Sequence, residues 1–433
     1  VATVARALVI PLEGSLPTAL APLLTTFRLL VNEIVRESLT TGSTSRGALS
    51  KFARHRAFTH QLTGTYGVVA SGIALSLVKA HRTRVRRGGT CQPQYVHRPF
   101  LRVDDLSFHL DVAPQRVRLS LRNGVWTSFG IRLSPYHRSV LATPGIRHKQ
   151  LHVTGDPVVV YYEKPAPEPY LPLSVLGLDT NERSLDGVCV TPTATRAVTV
   201  PFPEIAVLQQ RHVDRRRKMA KKKSNDRRVA RRLLGRERQR EHHQVVSRLH
   251  LLTKRLVEVA RAHHAALALE NLSRLPQARL RRRGVSRHRP GAPRTAKLRR
   301  RLSSWPQAEL HRQLEFKAAE RGVQILWVDP FRTSVTCPRC GAYGGPRSRM
   351  GPTFDCPSCG WRLDRQLNAG TNVGRIALRE TPELGGLKLD LDALAKDAMR
   401  PHYPFQGLGR AKAERTAREG RRSAGRQVRL PSN

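Results

Sequence analysis

Acidic residues are scarce in this chain. Only 32 aspartates and glutamates stand against 77 lysines and arginines in 433 residues, a formal charge of +45 at pH 7. Such a surplus repels itself and calls for a polyanion. This excludes an ordinary metabolic enzyme as the starting expectation and leaves nucleic acid or an anionic membrane. Long apolar runs are missing too. Val68 to Val78, among the longest, is interrupted by Ser and Gly and falls short of the ~18 residues of a spanning helix. No apolar segment with a cleavage site opens the chain, so no secretory signal is read there. The expectation is a nucleic-acid partner, with no membrane and no small-molecule substrate. Six cysteines are too few for a disulfide scaffold. Aromatics are only 5 % of the residues, and few lie among the basic stretches, so backbone contact rather than base stacking is expected there. The length is enough for two or three domains at roughly 150 residues each.

The positive charge is concentrated. Between Arg211 and Arg240 there are 15 Lys or Arg and 3 acids. The cluster comprises Arg215, Arg216, Arg217, Lys218, Lys221, Lys222, Lys223, Arg227, Arg228, Arg231 and Arg232. If this tract is helical, positive charge surrounds it for several turns, and a phosphate backbone supplies the counter-charge. A second stretch, Arg279 to Arg301, has 11 Lys or Arg, no acid and several Gly and Pro residues. It includes Arg281, Arg282 and Arg283 and reads as a basic loop. Either stretch alone could be a solvated loop or a localisation signal; the two together, on a chain of +45, favour nucleic acid.

Four of the six cysteines form two CxxC pairs, Cys337/Cys340 and Cys356/Cys359, each followed by Gly and separated by fifteen residues. Each pair aims two thiolates at one point. Two such knuckles make a closed four-thiolate site suited to structural Zn²⁺. They also point to a reducing, cytoplasmic setting. Cys91 and Cys189 read as ordinary cysteines.

Hydropathy patterning divides the chain near residue 165. Before it, Pro17 to Glu37 and Ala48 to Arg82 show helical spacing, and residues from about 100 to 163 read as short strands with a turn at Asn123-Gly124. The proline-rich Lys164 to Tyr170 reads as a linker. After it, apolar strands are expected at 173–178, 185–190, 196–200, 265–269 and 323–328. Helices are expected at about 205–263, at 304–321 with a Ser304/Gln307 capping box, and at about 364–379. The pattern is an α/β domain with a mixed sheet, and a basic tail from about Gly407. Asp179 and Glu270 each end an apolar strand, and Asp364 begins the helix after the cysteines. Each alone is an ordinary turn or cap residue. Together they form a set able to hold two Mg²⁺ ions about 4 Å apart for phosphodiester hydrolysis.

The order of motifs carries a resemblance. It runs Gly177-Leu178-Asp179, a basic helix, Leu267-Ala268-Leu269-Glu270-Asn271-Leu272, Trp305, Phe316-Lys317-Ala318, Val328-Asp329-Pro330, Thr333-Ser334, the two cysteine knuckles, then Asp364-Arg365-Gln366-Leu367-Asn368-Ala369. Over roughly 173 to 380 this resembles the TnpB family of transposon-encoded RNA-guided nucleases and the compact type V CRISPR effectors. The resemblance implies an α/β RNase H-like RuvC domain (171–335 and 361–380) with an inserted zinc ribbon (336–360). It implies a preceding wedge-like β-barrel (1–17 and 88–165) with an inserted helical recognition lobe (18–87). The remaining 381–433 would be a basic C-terminal tail, partly disordered. It further implies a guide RNA, a DNA target beside a short flanking motif, and Mg²⁺-dependent cleavage by Asp179, Glu270 and an acid near 364. The family pattern Asp-Arg-Asp-x-Asn-Ala-Ala carries its ligand on the second Asp, where this chain has Gln366. Either Asp364 supplies the third carboxylate after a local shift, which is the favoured reading, or the protein is a nuclease-dead guided DNA binder. A third class is an RNA-independent zinc-ribbon DNA-binding or transposase-associated protein.

Overall fold

The computed structural model describes residues 3–86, 88–89, 92–122, 124–222, 226–272, 306–344 and 351–398. Lys223, Arg281, Arg282, Arg283, the rest of the 279–301 stretch, Asn123, Cys91, Ser304, Trp305 and the tail beyond 398 lie outside them. The chain divides into two compact units, Val1–Ala166 and Pro167–Asn433.

The first unit pairs β1 (Thr3–Ile10), β7 (Val158–Pro165), β6 (Arg147–Val153) and β2 (Leu101–Asp104) into one antiparallel sheet in that order. A second antiparallel sheet holds β3 (Phe108–Asp111), β4 (Arg116–Arg122) and β5 (Val125–Gly130). Three long helices pack with them, α1 (Leu20–Thr40), α2 (Arg46–Thr59) and α3 (Gly64–Arg86), and a short α4 (Pro135–Leu141) follows β5. The stripe of Leu23, Phe27, Leu30 and Ile34, spaced three and four apart, is buried as its periodicity requires. The tract read as helical from Ala48 to Arg82 is two helices. Gln61 takes a left-handed φ of 58°, its N–H returns to Phe58 O, and the Leu62 N–H returns to Ala57 O. That pair of bonds is the Schellman closure that ends α2.

In the second unit one five-stranded sheet runs β10 (Thr195–Pro201), β9 (Ser184–Val190), β8 (Ser174–Thr180), β11 (Ala265–Glu270), β12 (Ile325–Val328). β9 is antiparallel to both neighbours, while β8, β11 and β12 are mutually parallel. Alternation assigns the faces. Leu176, Leu178, Leu267 and Leu269 enter one core with α5 (Pro203–Lys222), α6 (Arg227–Ala262) and α7 (Gln307–Ala319). Val175, Val188, Ala266 and Ala268 enter a second core with α8 (Arg365–Glu380) and α9 (Leu391–Ala398). The mixed α/β layering read from the sequence is present. The basic tract is two helices rather than one. α7 starts at Gln307 with Pro306 at its N-cap and no side-chain cap; Ser304 of the expected capping box lies outside the described residues. Leu384 and Leu394 are fully buried, so the compact unit extends past 380 into the segment read as tail.

The second face is built of small residues because α8 lies against the sheet backbone. A Cβ at Gly370 would sit 2.1 Å from Asp186 O, and one at Gly177 would sit 2.4 Å from Gly374 Cα. Gly370→Ala is therefore expected to lower stability by at least about 1–3 kcal/mol, as overpacking does. Gly235→Ala, in open space on α6, is expected to raise it by about 0.5–1 kcal/mol. Chemical denaturation of the two variants checks the opposite signs.

Candidate active site and metal centre

Asp179 and Glu270 stand at the C-terminal ends of β8 and β11, which pair in parallel through Leu178 and Leu269. Ligand crevices in such sheets form outside these strand ends. Here an open cleft of about 630 Å³ is lined by Asp179, Asn181, Glu270, Asp329 and Thr333, by Phe331 and Arg332, and by Arg365 and Gln366 from the start of α8. Glu270 is 6 % exposed and its Oε1 accepts the Thr333 hydroxyl at 2.5 Å. Burial, then the charge of Glu270 and a hydrogen bond shared with it, hold the Asp179 carboxyl well above the usual carboxylate range. Burial also raises Glu270, opposed by hydrogen bonds to Thr333 and Asp179. The two titrate as a unit, because bringing both to full charge in one desolvated site is costly. Asp186, directly across from Asp179 on β9, adds a third carboxylate behind them. Its Oδ2 accepts from Asn181 Nδ2 at 3.0 Å and Ser184 Oγ at 2.5 Å.

α8 positions this cleft. Asn372 Nδ2 donates to Thr333 O and Thr336 O, each at 2.8 Å, and Asn368 Nδ2 donates to Thr336 O at 3.1 Å. These bonds fix the turn that carries the Thr333 hydroxyl to Glu270. Asp364 does not join the pair. Its Oδ1 accepts the Gln366 and Leu367 N–H groups at 2.8 and 3.1 Å as the N-cap of α8. It is exposed and absent from the cleft lining. Capping engages one oxygen of Asp364, so this geometry does not bring it to the pair as the expected third ligand, and Arg365 and Gln366 are the side chains α8 brings to the cleft. Sequence reasoning also missed Asp186 and Asp329. The first carries no local signal, since only strand pairing brings it opposite Asp179; the second was visible only as part of Val-Asp-Pro.

The four cysteines converge. All four sulfurs lie within 4.8 Å of one another, with Cys337–Cys359 at 3.6 Å and Cys340–Cys356 at 3.4 Å. Zn–S bonds of about 2.3 Å in a tetrahedron put sulfurs about 3.8 Å apart, so the donor set and spacing fit zinc. Gly341 and Gly360 follow the knuckles with φ of 77° and 69°, the left-handed conformation that side chains resist. Burial pushes the Cys337 thiol up to about 12. At Cys356 burial is opposed by the N–H groups of Cys359 and Ser358, and the thiol falls to about 7. Such unequal thiols form one four-thiolate site only with a cation to deprotonate them all.

The basic tract is partly neutralised from within. His212, 1 % exposed, meets buried Glu237 at 2.7 Å between α5 and α6. Arg215 and Arg240 reach Glu237, Arg216 pairs with Glu241, and Arg217 with Asp214. Arg215, Arg217, Lys218, Lys221, Arg228, Arg231 and Arg232 remain exposed, whereas Arg216 is half-buried. The side chains of Lys222 and Arg227 lie outside the described residues. No described helix is long and apolar enough to cross a membrane.

Two predictions follow from this geometry. Cys337→Ser, or zinc chelation, is expected to lower the melting temperature and the bound zinc together, checked by elemental analysis and calorimetry. For the carboxylates, folding raises the pKa values above their unfolded ones. Their contribution to stability is therefore complete at pH below the unfolded values and is lost as pH rises through the folded ones. Without divalent cations, wild type is expected to lose stability from acid to neutral pH more steeply than Asp179→Asn, read as melting temperature against pH.

Comparison with known proteins agrees with the motif order. Residues 308–373 match the family described as Cas12f1-like, TNB domain. The CRISPR-associated endodeoxyribonuclease Cas12f1 of an uncultured archaeon is 32 % identical over 85 residues, 18 % of this chain and 16 % of that protein. A TnpB-like protein of Methanocaldococcus jannaschii is 26 % identical over 184 residues, 42 % of this chain and 60 % of that protein. The chain thus spans less than two thirds of either relative. In fold, it aligns with Cas12f1 from the cryo-EM structure of the Cas12f1-sgRNA-target DNA complex at a TM-score of 0.55, covering 83 % of each chain at 13 % identity. In motif order, matched segment and fold, the chain is thus similar to TnpB and compact type V effector proteins.

Proposed function

We propose that this protein is an RNA-guided DNA endonuclease whose RuvC-like site uses Asp179 and Glu270 to hold Mg²⁺. The observation that carries the reading is the pair itself: two adjoining carboxylates, one buried and one half-buried, end neighbouring parallel strands in a chain of +45. The sheet order, with the one antiparallel strand β9 between β10 and the three parallel strands, supports an RNase H-like nuclease domain over 171–335 and 361–380, with the cysteine segment 336–360 as its zinc ribbon. The first unit would serve as wedge (1–17 and 88–165) and recognition lobe (18–87). The donor set is all hard oxygen, which fits Mg²⁺. Bound there, Mg²⁺ would supply an activated water and charge stabilisation of the leaving oxygen. The chain's own residues hold and orient: Thr333 fixes Glu270, Asn372 fixes Thr333, and the exposed cations of α5 and α6 take the phosphate backbone of guide or heteroduplex. The names of the relatives and of the complex supply the classes of partner, a guide RNA and a target DNA, with base pairing reading the sequence.

A second reading is favoured by one observation. Gln366 reaches the cleft where the family pattern has a carboxylate, and Asp364 is engaged as a cap. Two carboxylates hold a cation pair less tightly than three, so occupancy of DNA without cutting is the alternative.

Cleavage of a target library by protein copurified with its RNA separates the two. Under the endonuclease reading wild type cuts with Mg²⁺, Asp179→Ala loses cutting by at least about a thousandfold while still binding target, and Gln366→Asp cuts faster. Cutting by Gln366→Asp alone would establish the occupancy reading. A discrete RNA absent from the purified protein would remove both in favour of an RNA-independent binder. Mg²⁺ should also raise the melting temperature of wild type and not of Asp179→Asn, a readout independent of cleavage.

A further inference from the structure

At the mouth of the cleft stands an aromatic–cation stack that the proposed chemistry does not use. Phe331 lines the cleft and is 69 % exposed. It belongs to none of the three hydrophobic cores among the described residues. The Arg332 guanidinium lies 4.7 Å from the Phe331 ring centroid and 4.4 Å from that of Tyr343, which is itself 51 % exposed. Arg332 also donates to the Tyr343 hydroxyl.

This stack is held in place. Arg332 takes φ of 62°, a conformation that L residues avoid and that persists only where the surroundings enforce it. Its carbonyl accepts three bonds, from Val335 N and Thr336 N at 3.1 Å and from Thr336 Oγ1 at 2.8 Å. Tyr343 is fixed by its bridge to Thr336 and by the first zinc knuckle, where Cys337 N donates to Ala342 O at 2.8 Å. A large ring kept in water beside a cleft, backed by a cation and anchored to a cysteine knuckle, offers a face on which a planar group can stack.

We infer that Phe331, backed by Arg332 and Tyr343, is a stacking platform for an unpaired base of the strand entering the cleft. The occupant is single-stranded nucleic acid. A paired base buries its faces in the helix, whereas an unpaired one offers a π-face to any aromatic ring, with no demand on sequence. Charge complementarity agrees, because Arg332 and Arg365 border the same opening and the next phosphates would lie beside them. The inference rests on the endonuclease or occupancy reading for where the strand leads, and adds how it is gripped. Phe331 and Tyr343 are positioning residues: they hold a neighbouring base and leave the reacting phosphate to the carboxylates.

Photocrosslinking of the full chain tests this. Single-stranded DNA carrying 5-iodouracil at successive positions is bound without Mg²⁺, irradiated, and the crosslinked peptides sequenced. Crosslinks are expected at Phe331 or Tyr343. Phe331→Leu should lose the Phe331 crosslink and about tenfold in affinity for that strand, while Phe331→Trp keeps both. With Mg²⁺, the Leu variant should raise KM and leave kcat near wild type. Crosslinks confined to other residues, with Phe331→Leu binding as wild type does, would overturn the inference, as would a shift to lower oligomeric state in Phe331→Leu without any crosslink. The two readings fail separately. A Phe331 crosslink in a chain that never cuts leaves the platform standing without the nuclease, and guided cutting unchanged in Phe331→Leu does the reverse.

Discussion

Parallel pairing of β8 with β11 brings together two side chains that repel each other, and much of the second unit is arranged around that repulsion. Leu178 opposite Leu269 sets the register, and the next residue on each strand is a carboxylate. Neither strand gains by this locally. The apolar neighbours do the holding: Leu176, Leu178, Leu267 and Leu269 are buried on one face, and Ala266 and Ala268 on the other. A one-residue slip would turn every one of these to the wrong side, so the cores lock the register and the register holds the acids together.

The opposite face explains why α8 has so much influence on the cleft. Gly177, Gly187, Gly370 and Gly374 let helix and sheet backbones meet without side chains between them. A helix that close is also short-linked to the zinc site, since β14 (Arg362–Asp364) runs directly into it and pairs with β13 (Thr353–Asp355). The first knuckle leaves from the Thr333–Thr336 turn, and Asn368 and Asn372 of α8 grip that same turn. The metal-bearing segment therefore joins the cleft at both of its ends.

Which parts of this were legible beforehand follows from the range of the forces involved. The strands around Asp179 and Glu270 announce themselves because a buried parallel strand must be continuously apolar, and a carboxylate at its end breaks the run visibly. The cysteine knuckles are legible because the ligand spacing is itself local. Asp364 was ambiguous for the same reason. An acid at a helix start reads equally as cap or ligand, and the cap shows only in the positions of Gln366 N and Leu367 N. The His212–Glu237 pair was invisible because the contact spans 25 residues and two helices, and nothing in a basic tract marks which acid will be buried.

Charge sets one more condition. Asp179 is held above its usual range by burial and by Glu270, and Glu270 by burial alone, in a molecule that is otherwise strongly positive. The distant surplus of cations is screened by solvent and does not relieve them. A phosphate entering the cleft adds negative charge where two carboxylates already resist ionising, so anion and carboxylates oppose each other's binding states. A divalent cation favours both. Linkage then requires that cation and phosphate strengthen each other's binding by the same factor. The basic helices would capture nucleic acid without the divalent cation, and in the cleft a strand would bind more tightly in company with metal. With Gln366 rather than an acid at the start of α8, the cation would have less charge to balance and that coupling would be weaker.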